Sequence, residues 1–384
     1  MPEQVRVMIV IGTRQEAVKM SPVVLEMKNQ SEDFETVVVT AGKQEELLGQ
    51  VMDVFRFGPD DQINTDPEEG EPAKALANSL KEFNELIKKH DPDLVLLHGN
   101  TPTSVAAGLA AYYSRKKTGL VEAGLRTWDK FSSFPSEMHR QLTCTASDIY
   151  FAPTDNAMLN LVGEGKKEER IFVTGNTAID ALKWTMTEDY KHELLDDTEN
   201  KRVILLTAHR EENLGQPMEN IFSAVTRIAD EHEDVKVIYP VHKIKELREQ
   251  AEKTLGDHPR IVLTEPFGLK DFHNLAAKSD LILTDSGGVQ EEAGSLNVPV
   301  LVLRDATERP EGIDGGTVKL TGTDEEPLYD YINTLLTDSD AYISMKEAPN
   351  PFGDGQAAER ITEAIKYFFE KQEERPQPFK VIKR

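Results

Sequence analysis

The feature that most constrains the fold of this chain is a repeated alternation of short apolar segments with longer amphipathic ones. The apolar segments are rich in Val and Ile at successive positions, so both faces of such a strand need cover. Strands of this kind are typical of parallel sheets that helices cover on both sides. The first half of the chain therefore predicts a doubly wound α/β domain. Its predicted strands are Val5–Ile11, Glu35–Thr40, Asp93–His98, Gly119–Val121, Ile149–Phe151 and Ile171–Val173, with helices at about 15–29, 44–55, 73–90, 102–117, 136–146 and 154–164.

The same alternation begins again after a polar, acidic stretch at Glu188–Lys201, which suits a surface connector. We therefore expect two Rossmann-like domains, residues 1–185 and 186–360, followed by a C-terminal segment, 361–384. The basic, Pro-containing tail is predicted to fray beyond about residue 374. The predicted strands of the second domain are Arg202–Thr207, Val235–Tyr239, Arg260–Leu263, Leu281–Thr284, Val298–Leu303 and Thr317–Leu320, with helices at about 217–233, 243–254, 271–278, 288–296, 324–337 and 355–371.

Charge and cysteine content argue against several classes of function. The chain holds 44 Lys and Arg against 68 Asp and Glu, a formal charge of −24 that would repel a nucleic-acid backbone. The single cysteine, Cys144, permits no internal disulfide and no Cys-rich zinc site, and we interpret it as a packing residue. Because no apolar run approaches 18 residues, we expect no membrane insertion. These features predict a cytoplasmic protein that does not bind nucleic acid.

Sequence motifs for common cofactors are absent. The chain contains no GxGxxG and no GxxxxGK[ST], which argues against a dinucleotide cofactor and a P-loop. His98, His139, His242 and His273 show neither HExxH nor another spacing typical of metal ligands. We therefore predict neither a cofactor nor a metal site.

In open α/β sheets ligands bind beyond the carboxyl ends of the strands, so the residues that directly follow each strand are the most informative. In the first half these segments hold two cations, Arg14 and Lys19, an amide at Asn100, and two carboxylates, Glu122 and Glu137. A phosphate could meet both cations at the end of the first strand. The alternative is that the cations form a solvated helix face and that the carboxylates are ordinary loop acids.

In the second half a His-Arg-Glu-Glu cluster that begins at His209 follows one predicted strand, and Asp285-Ser286-Gly287-Gly288 follows another. Glycines before a helix let backbone N–H groups approach a diphosphate closely. The alternatives are a structural histidine, a plain turn and an Asp285 that only tethers a loop. Each motif is weak, but together they point at one ligand site.

The residues in these segments resemble the signatures of the non-hydrolysing UDP-N-acetylglucosamine 2-epimerases, and the match runs over nearly the whole chain. The motifs that carry the resemblance are Gly12-Thr13-Arg14-x-Glu16-Ala17-x-Lys19-Met20, Val121-Glu122-Ala123-Gly124-Leu125-Arg126-Thr127, Thr174-Gly175-Asn176-Thr177, Tyr239-Pro240-Val241-His242, Leu283-Thr284-Asp285-Ser286-Gly287-Gly288-Val289-Gln290-Glu291-Glu292-Ala293 and Arg304-Asp305-x-Thr307-Glu308-Arg309-Pro310-Glu311.

The resemblance implies a glycosyltransferase-B-like fold, with two Rossmann-like domains facing across a cleft and the last helix crossing back to the first domain. It also implies a homodimer that binds a UDP-sugar and inverts C2 between UDP-GlcNAc and UDP-ManNAc, with neither NAD nor a metal. The family's reaction is understood as elimination of UDP to give 2-acetamidoglucal, followed by re-addition from the face that inverts C2.

The same resemblance assigns roles to single positions of this chain. For the nucleotide, Ser286, Gly287 and Gly288 resemble the diphosphate loop, Glu292 the ribose ligand, and Phe272 the aromatic that contacts uracil. For the phosphates and sugar, the similar cations are Arg14, Lys19 and Arg309. For the chemistry, His209 matches the histidine beside the leaving UDP, Glu122 an active-site carboxylate, and Arg140 an active-site guanidinium.

Three positions depart from the family pattern. The family's Gly-Asp-Thr-Thr-Thr is here Gly99-Asn100-Thr101-Pro102-Thr103, and its Pro-Glu-Glu is Pro135-Ser136-Glu137. Ala41-Gly42-Lys43 stands where many bacterial members have an Ala-Gln-His stretch that helps bind a second UDP-GlcNAc as an activator. An amide at Asn100 and a hydroxyl at Ser136 leave Glu122 or Glu137 to supply the base. The alternatives to an epimerase are a catalytically silent UDP-sugar-binding paralogue and an altered nucleotide-sugar hydrolase or transferase.

Overall fold

The structure is a computed structural model that describes residues 4–42, 45–63, 72–131, 134–196 and 198–381. It divides into two compact units. The first unit contains the chain up to Trp184 together with Phe352–Lys380, and the second contains Thr185–Pro351. No helix among the described residues is both long and apolar enough to pass through a lipid bilayer.

The first unit is built on a seven-stranded parallel sheet. Its strands are β1 (Val5–Ile11), β2 (Phe34–Ala41), β3 (Asp61–Ile63), β4 (Leu94–His98), β5 (Lys117–Val121), β6 (Ile149–Ala152) and β7 (Ile171–Val173). Their order in the sheet is β3-β2-β1-β4-β5-β6-β7. The helices that connect them are α1 (Arg14–Asn29), α2 (Glu45–Phe55), α3 (Pro72–His90), α4 (Pro102–Tyr113), α5 (Ser136–Ala146) and α6 (Asp155–Gly163), and α7 (Thr177–Thr185) follows the last strand.

The second unit repeats this plan with a six-stranded parallel sheet in the order β10-β9-β8-β11-β12-β13. Its strands are β8 (Arg202–Thr207), β9 (Val235–Pro240), β10 (Ile261–Thr264), β11 (Leu281–Thr284), β12 (Val300–Val302) and β13 (Val318–Leu320). Its helices are α8 (Gln216–Glu231), α9 (Lys245–Leu255), α10 (Leu269–Ala277), α11 (Gly287–Leu296), α12 (Pro310–Asp314), α13 (Glu325–Thr337) and α14 (Ser339–Lys346). Short 3₁₀ turns lie at Glu168–Arg170, Glu193–Leu195 and Glu211–Asn213.

Both sheets have apolar side chains on both faces, which confirms the predicted doubly wound α/β fold class. All five residues of β4 are buried, and Ile204, Leu205 and Leu206 of β8 are at most 1% exposed. Each such aliphatic side chain contributes roughly 1.5–3 kcal/mol when it is fully buried. The helices are therefore needed on both sides of each sheet, and charged groups are pushed to the ends of the strands.

Strand order reverses at one place in each sheet, between β1 and β4 in the first unit and between β8 and β11 in the second. At such a point the connections leave the two neighbouring strands toward opposite faces, so their carboxyl ends are left accessible. Of the predicted site residues, Arg14 begins the helix after β1, Asn100 follows β4, His209 follows β8, and Ser286 follows β11.

The chain returns to the first unit at Phe352, earlier than the predicted residue 361. A backbone hydrogen bond holds the chain to the first unit at this point, since the Asn176 N–H donates to the Phe352 carbonyl at 2.6 Å. The last helix, α15 (Ala357–Phe368), then lies against α1, where Lys366 Nζ donates to the Gln30 side-chain oxygen at 2.9 Å.

The expectation that the tail frays beyond residue 374 is wrong for the described residues, which run to Val381. The Arg375 guanidinium donates to the carbonyls of Glu168, Glu169 and Ile171. The Phe379 ring is 4% exposed, and its N–H donates to the Val173 carbonyl at the end of β7. The tail is therefore part of the first unit and is held by backbone acceptors that composition does not reveal.

A buried carboxylate, Asp180 on α7, holds the beginning of α15. Its two oxygens accept the N–H groups of Ala357 and Ala358 at 3.2 and 2.9 Å, which the first turn of a helix leaves without partners. Burial raises the pKa of Asp180 to about 6, even though these hydrogen bonds act in the opposite direction. The side chain therefore keeps a proton in the folded state at pH values where it has lost it in the unfolded chain.

This difference predicts a pH dependence of stability with a definite sign. Between about pH 4 and pH 6 the folded state binds more protons than the unfolded state, so the free energy of unfolding falls as pH rises, by about 3 kcal/mol. Asp180→Asn should remove this slope in urea unfolding curves measured across the range.

Asp354→Asn is the matched control. The Arg360 guanidinium holds the pKa of the Asp354 carboxyl below its ordinary value, so its stabilisation is lost below about pH 4 instead. The same pH dependence of stability in Asp180→Asn as in the wild type would contradict the assignment.

Candidate functional site

Three polar side chains of the first unit meet at the carboxyl ends of neighbouring strands. Lys19 lies on α1, His98 is the last residue of β4, and Glu122 directly follows β5. Lys19 Nζ lies 2.8 and 2.7 Å from the two oxygens of Glu122, and His98 Nε2 lies 2.6 Å from the same carboxylate. Each side chain is less than a tenth exposed. We call this group the Lys19–Glu122–His98 cluster.

The backbone at Glu122 is strained. Its φ is +59°, in the left-handed region, which costs a residue with a side chain about 1–3 kcal/mol. Gly124, two residues on, also has a positive φ, and a side chain there would collide with the Ala157 carbonyl. Strain of this kind concentrates at functional sites, which supports Glu122 as a functional carboxylate.

Glu16 ties the loop after β1 to the loop after β4. One of its oxygens accepts the N–H groups of Gly12 and Thr13 at 2.6 and 2.9 Å. The other accepts the hydroxyls of Thr101 and Ser104 at 2.7 and 3.2 Å. Burial raises the pKa of Glu16, although His98 and these hydrogen bonds act in the opposite direction. Glu16 is thus a structural carboxylate that fixes the loop in which Asn100 lies.

Asn100 lies in this loop, partly exposed, and its backbone carbonyl oxygen is 3.1 Å from Nδ1 of His139. Burial lowers the pKa of His139, although the contact with Asn100 acts the other way. Because a carbonyl only accepts, the neutral ring must carry its proton on Nδ1. Arg14, the first residue of α1, is half-buried, and burial lowers the pKa of its guanidinium.

Glu137 and Arg140 occupy the first turns of α5. The Glu137 side chain is fully buried and accepts the Thr127 N–H at 3.0 Å, the Gln141 amide at 3.1 Å and the Arg140 guanidinium at 3.3 Å. Burial raises the pKa of Glu137, but these three donors outweigh it, so that the pKa lies below its ordinary value. Ser136, the first residue of α5, is partly exposed. Glu137 therefore positions the loop at Thr127 as a fixed anion.

In the second unit, Ser286, Gly287 and Gly288 form the turn that opens α11. The Ser286 N–H donates to the Thr284 hydroxyl at 3.0 Å, and no side chain caps the helix. The three residues are partly exposed. Backbone N–H groups at the N-terminus of a helix favour an anion, as the sequence predicts for this turn.

Arg309 lies against this turn. Its Nε is 2.6 Å from Glu291 and its Nη1 is 2.5 Å from Glu308, so two buried carboxylates hold the guanidinium. A Cβ added at Gly287 would lie 2.6 Å from Arg309 Nη1, which explains why a glycine is needed there. The structure thus brings the predicted cation to the predicted diphosphate turn.

Glu292 lies one turn into α11 and is close to a buried histidine. His273 Nε2 is 3.4 Å from the Glu292 carboxylate, and His273 Nδ1 is 2.7 Å from the Thr185 hydroxyl. The ring of Phe272 lies beside His273 with centroids 6.1 Å apart, and Phe272 is partly buried. The carboxylate and the aromatic ring predicted to contact the nucleoside are therefore linked through His273.

His209 follows β8, and its side chain is 41% exposed. Its ring stacks on that of His242, which follows β9, with centroids 5.1 Å apart and planes inclined by 20°. The neighbouring carboxylate is Asp285, which follows β11 and is fully buried. The loops after three neighbouring strands thus meet at His209.

The structure brings together several pairs of predicted residues: Lys19 with Glu122, Glu137 with Arg140, and Gly287 with Arg309. Four residues that contact predicted site residues or hold their loops were not themselves predicted: Glu16, His98, His242 and Glu291. For His98 the signal was its place as a polar residue that ends a fully apolar strand. Among the described residues, no group of three or more His, Cys, Asp or Glu side chains is placed to hold a metal ion. Lys43, in the segment compared with the activator stretch, lies outside the described residues.

The contact between Gly287 and Arg309 gives a stability prediction. Gly287→Ala should lower the free energy of unfolding by about 1–3 kcal/mol, because Arg309 cannot withdraw without leaving Glu291 and Glu308. Gly288→Ala is the matched control, since its added Cβ would lie 3.8 Å from Glu292 Oε1, an ordinary contact. Chemical denaturation of both variants makes the comparison, and equal effects would count against the tethered guanidinium.

Comparison with known proteins places these features in one family. The sequence profile of the UDP-N-acetylglucosamine 2-epimerases matches residues 25–366. A UDP-N-acetylglucosamine 2-epimerase of Bacillus subtilis (strain 168) is 52% identical over 377 residues, covering 98% of this chain and 99% of that protein. The S. aureus MnaA–UDP co-structure superposes with a TM-score of 0.93 at 46% identity, covering 98% of this chain and 100% of that one. The UDP-GlcNAc 2-epimerase of Neisseria meningitidis bound to UDP-GlcNAc has a TM-score of 0.89 at 36% identity, covering 94% and 99%. This chain therefore belongs to the UDP-N-acetylglucosamine 2-epimerase family.

Proposed function

We propose that this protein is a UDP-N-acetylglucosamine 2-epimerase that interconverts UDP-GlcNAc and UDP-ManNAc. Its chemistry is elimination of UDP to 2-acetamidoglucal and re-addition of UDP with C2 inverted. The observation that carries the proposal is the Lys19–Glu122–His98 cluster, a buried, strained carboxylate at the carboxyl end of a parallel strand in a chain of this family. Relatives whose structures hold UDP and UDP-GlcNAc support the ligand class.

In the first half of the reaction a base removes the C2 proton while the C1–O bond to UDP breaks. The electron pair of the C–H bond becomes the C1=C2 double bond, and UDP leaves with the electrons of the C1–O bond. The C2 proton is weakly acidic, so the base must be a fixed carboxylate within hydrogen-bond reach. We assign this role to Glu122, because Lys19 holds both of its oxygens and His98 Nε2 lies 2.6 Å from the same carboxylate.

The departing UDP requires positive charge and hydrogen-bond donors. In the second unit the N–H groups of Ser286–Gly288, the Arg309 guanidinium and the His209 ring are the groups assigned to it, with Glu292 at the ribose and Phe272 at the uracil. The guanidinium is held in place by its two carboxylates, so it is oriented before the ligand arrives. Preorganised donors of this kind are the usual means of stabilising a leaving anion.

Asn100 and Ser136 are expected to make the reaction slow. An amide has almost no basicity near neutral pH, and the loss of a general base typically costs about 10²–10⁴-fold in rate. Glu137 does not replace the missing groups, because it is fully buried and engaged by Thr127, Gln141 and Arg140. These two positions favour a second candidate function, a catalytically silent UDP-sugar-binding paralogue.

Nucleotide binding is the first test. UDP at about 100 times its dissociation constant should raise the free energy of unfolding by roughly 2.7 kcal/mol. Arg309→Ala should weaken UDP binding by about 30-fold or more in calorimetric titrations, because truncating one partner of a buried charged group costs about 2–5 kcal/mol. Arg227→Ala, which removes an exposed guanidinium paired with Glu231 and Glu326, is the control and should bind UDP as the wild type does. The absence of any thermal shift at millimolar UDP would refute the proposed ligand.

The second test separates binding from chemistry. Asn100→Asp, alone or with Ser136→Glu, should raise deuterium incorporation at C2 from heavy water by about 10²-fold or more, the scale expected on regaining a positioned base. UDP affinity should not improve, because an added carboxylate near a diphosphate is repulsive. Asn220→Asp, which makes the same change on the outer surface of α8, should leave exchange unchanged.

Three outcomes of this NMR assay are informative. Wild-type exchange as fast as that of the restored variants would show that Glu122 alone suffices. Tight UDP binding without exchange in any variant would favour the silent paralogue. Release of UDP with free sugar would instead identify a hydrolase.

A further inference from the structure

Asp285 binds the loop that carries His209 through one of its two oxygens. Its Oδ2 accepts the N–H groups of His209 and Arg210, both at 2.9 Å, and the Asn213 side-chain amide at 3.0 Å. Asp285 directly follows β11, and this loop follows the neighbouring strand β8, at the place where the strand order of the second sheet reverses. The carboxylate is fully buried. These three donors fix both the side chain and the start of the His209 loop.

The second oxygen, Oδ1, is different. It is buried and has no hydrogen-bond donor among the described residues, and it lies 3.5 Å from Nδ1 of His209. A buried carboxylate oxygen without a donor destabilises the fold, because it has lost its hydration without gaining a partner. A proton on Nδ1 of His209 is the donor best placed to satisfy it, because a small rotation of the half-exposed ring shortens this distance.

We propose that Asp285 is a positioning residue that holds the proton of His209 on Nδ1 and thereby presents Nε2 to the ligand. The inference rests on the proposed function only for the identity of that ligand, the departing diphosphate. With Nδ1–H held by the carboxylate, the neutral ring offers Nε2 as an acceptor, and the protonated ring offers Nε2–H as a donor. As the C1–O bond breaks, its electron pair goes to the phosphate oxygen, and the Nε2–H of the protonated ring donates a hydrogen bond to that oxygen.

The other groups around the ring restrict where a positive charge resides. Burial lowers the pKa of His242, and the nearby charges of His209, Arg248 and Lys243 lower it further. The Arg210 guanidinium donates to the Asp285 carbonyl at 2.8 Å and adds another positive charge, whereas Glu212 and Glu265 pair with Arg210 and Arg248. Among these groups Asp285 is the carboxylate 3.5 Å from the His209 ring, and its charge acts on the pKa of His242 in the opposite direction, raising it.

Asp285→Asn tests the proposal through the tautomer of His209. Because the backbone donors require an acceptor at the Oδ2 position, the new amide must place its carbonyl there and its NH₂ opposite Nδ1. Nδ1 then becomes an acceptor, and the neutral ring is forced to the Nε2–H form. The ¹⁵N NMR spectrum of ring-labelled histidine, assigned with His209→Gln, should show Nδ1–H in the wild type and Nε2–H in Asp285→Asn.

A control variant tests whether the change is specific to His209, and it gives a second readout. Asp230→Asn is the matched control, since Asp230 makes a comparable contact of 3.2 Å with His258 elsewhere in the same unit. It should change the signals of His258 and leave those of His209 unaltered.

Activity supplies a third readout. If exchange is measurable, Asp285→Asn should lower its kcat by about 10²–10⁴-fold, the scale seen when a histidine is held in the wrong tautomer, with UDP affinity changed by no more than about threefold. The effect should vanish in the His209→Gln background, because Asp285 acts through that ring.

The outcomes that overturn the proposal are distinct from those that overturn the proposed function. A wild-type His209 with an unprotonated Nδ1, or the same tautomer in both proteins, overturns the role of Asp285 whether or not the protein turns over. The wild-type spectrum alone decides the question if Asp285→Asn does not fold. If the protein is inactive but shows the predicted tautomers, the proposed epimerase function is refuted and the proposed role of Asp285 is supported.

Discussion

The constraint on which the rest of the structure depends is that parallel strands apolar on both faces must be covered on both sides. Helices then occupy both faces of each sheet, and charged or polar groups are confined to the ends of the strands. At the point where strand order reverses, the connections leave neighbouring strands in opposite directions and free the carboxyl ends. In the first unit His98 ends β4 at this place and Glu122 follows the next strand, β5. In the second unit His209 and Asp285 follow the two strands at this place, β8 and β11.

Buried carboxylates at these strand ends serve two purposes, and their donors tell the two apart. Glu16, Glu137 and Asp285 each accept backbone N–H groups, so they are structural carboxylates that hold loops in place. Glu122 instead has an ammonium and an imidazole as neighbours, and its own backbone is strained. Backbone donors stay with a carboxylate throughout a reaction, whereas a lysine and a histidine can respond to a change in its charge. That distinction is the basis for proposing Glu122, and not Glu137, as the carboxylate that takes part in the reaction.

The sequence predicts the parallel strands and the loops that hold the polar residues, because both follow from local apolar patterns. The sequence does not show that Glu122 and Glu137 have different environments, because their partners are set by tertiary contacts. Lys19, for example, is 103 residues away from Glu122 along the chain. The short strand β3 and the helices α7, α12 and α14 were missed because their apolar patterns are too brief. The ordered tail was missed because Arg375 is held by backbone carbonyls, which every sequence has. The departures from the family pattern at Asn100 and Ser136, by contrast, are recognised only by comparing sequences.

The loop that carries Asn100 is held by contacts that do not depend on the side chain at position 100, which here is an amide. Thr101 caps α4, Glu16 holds the loop, and the close approach of Thr103 permits only a glycine at position 12. An amide has nearly the shape of a carboxylate but not its charge, so this loop keeps its packing while the first unit loses one negative charge. The conformation of this loop is therefore set by Glu16, Thr101 and Thr103, whose contacts do not involve the side chain at position 100.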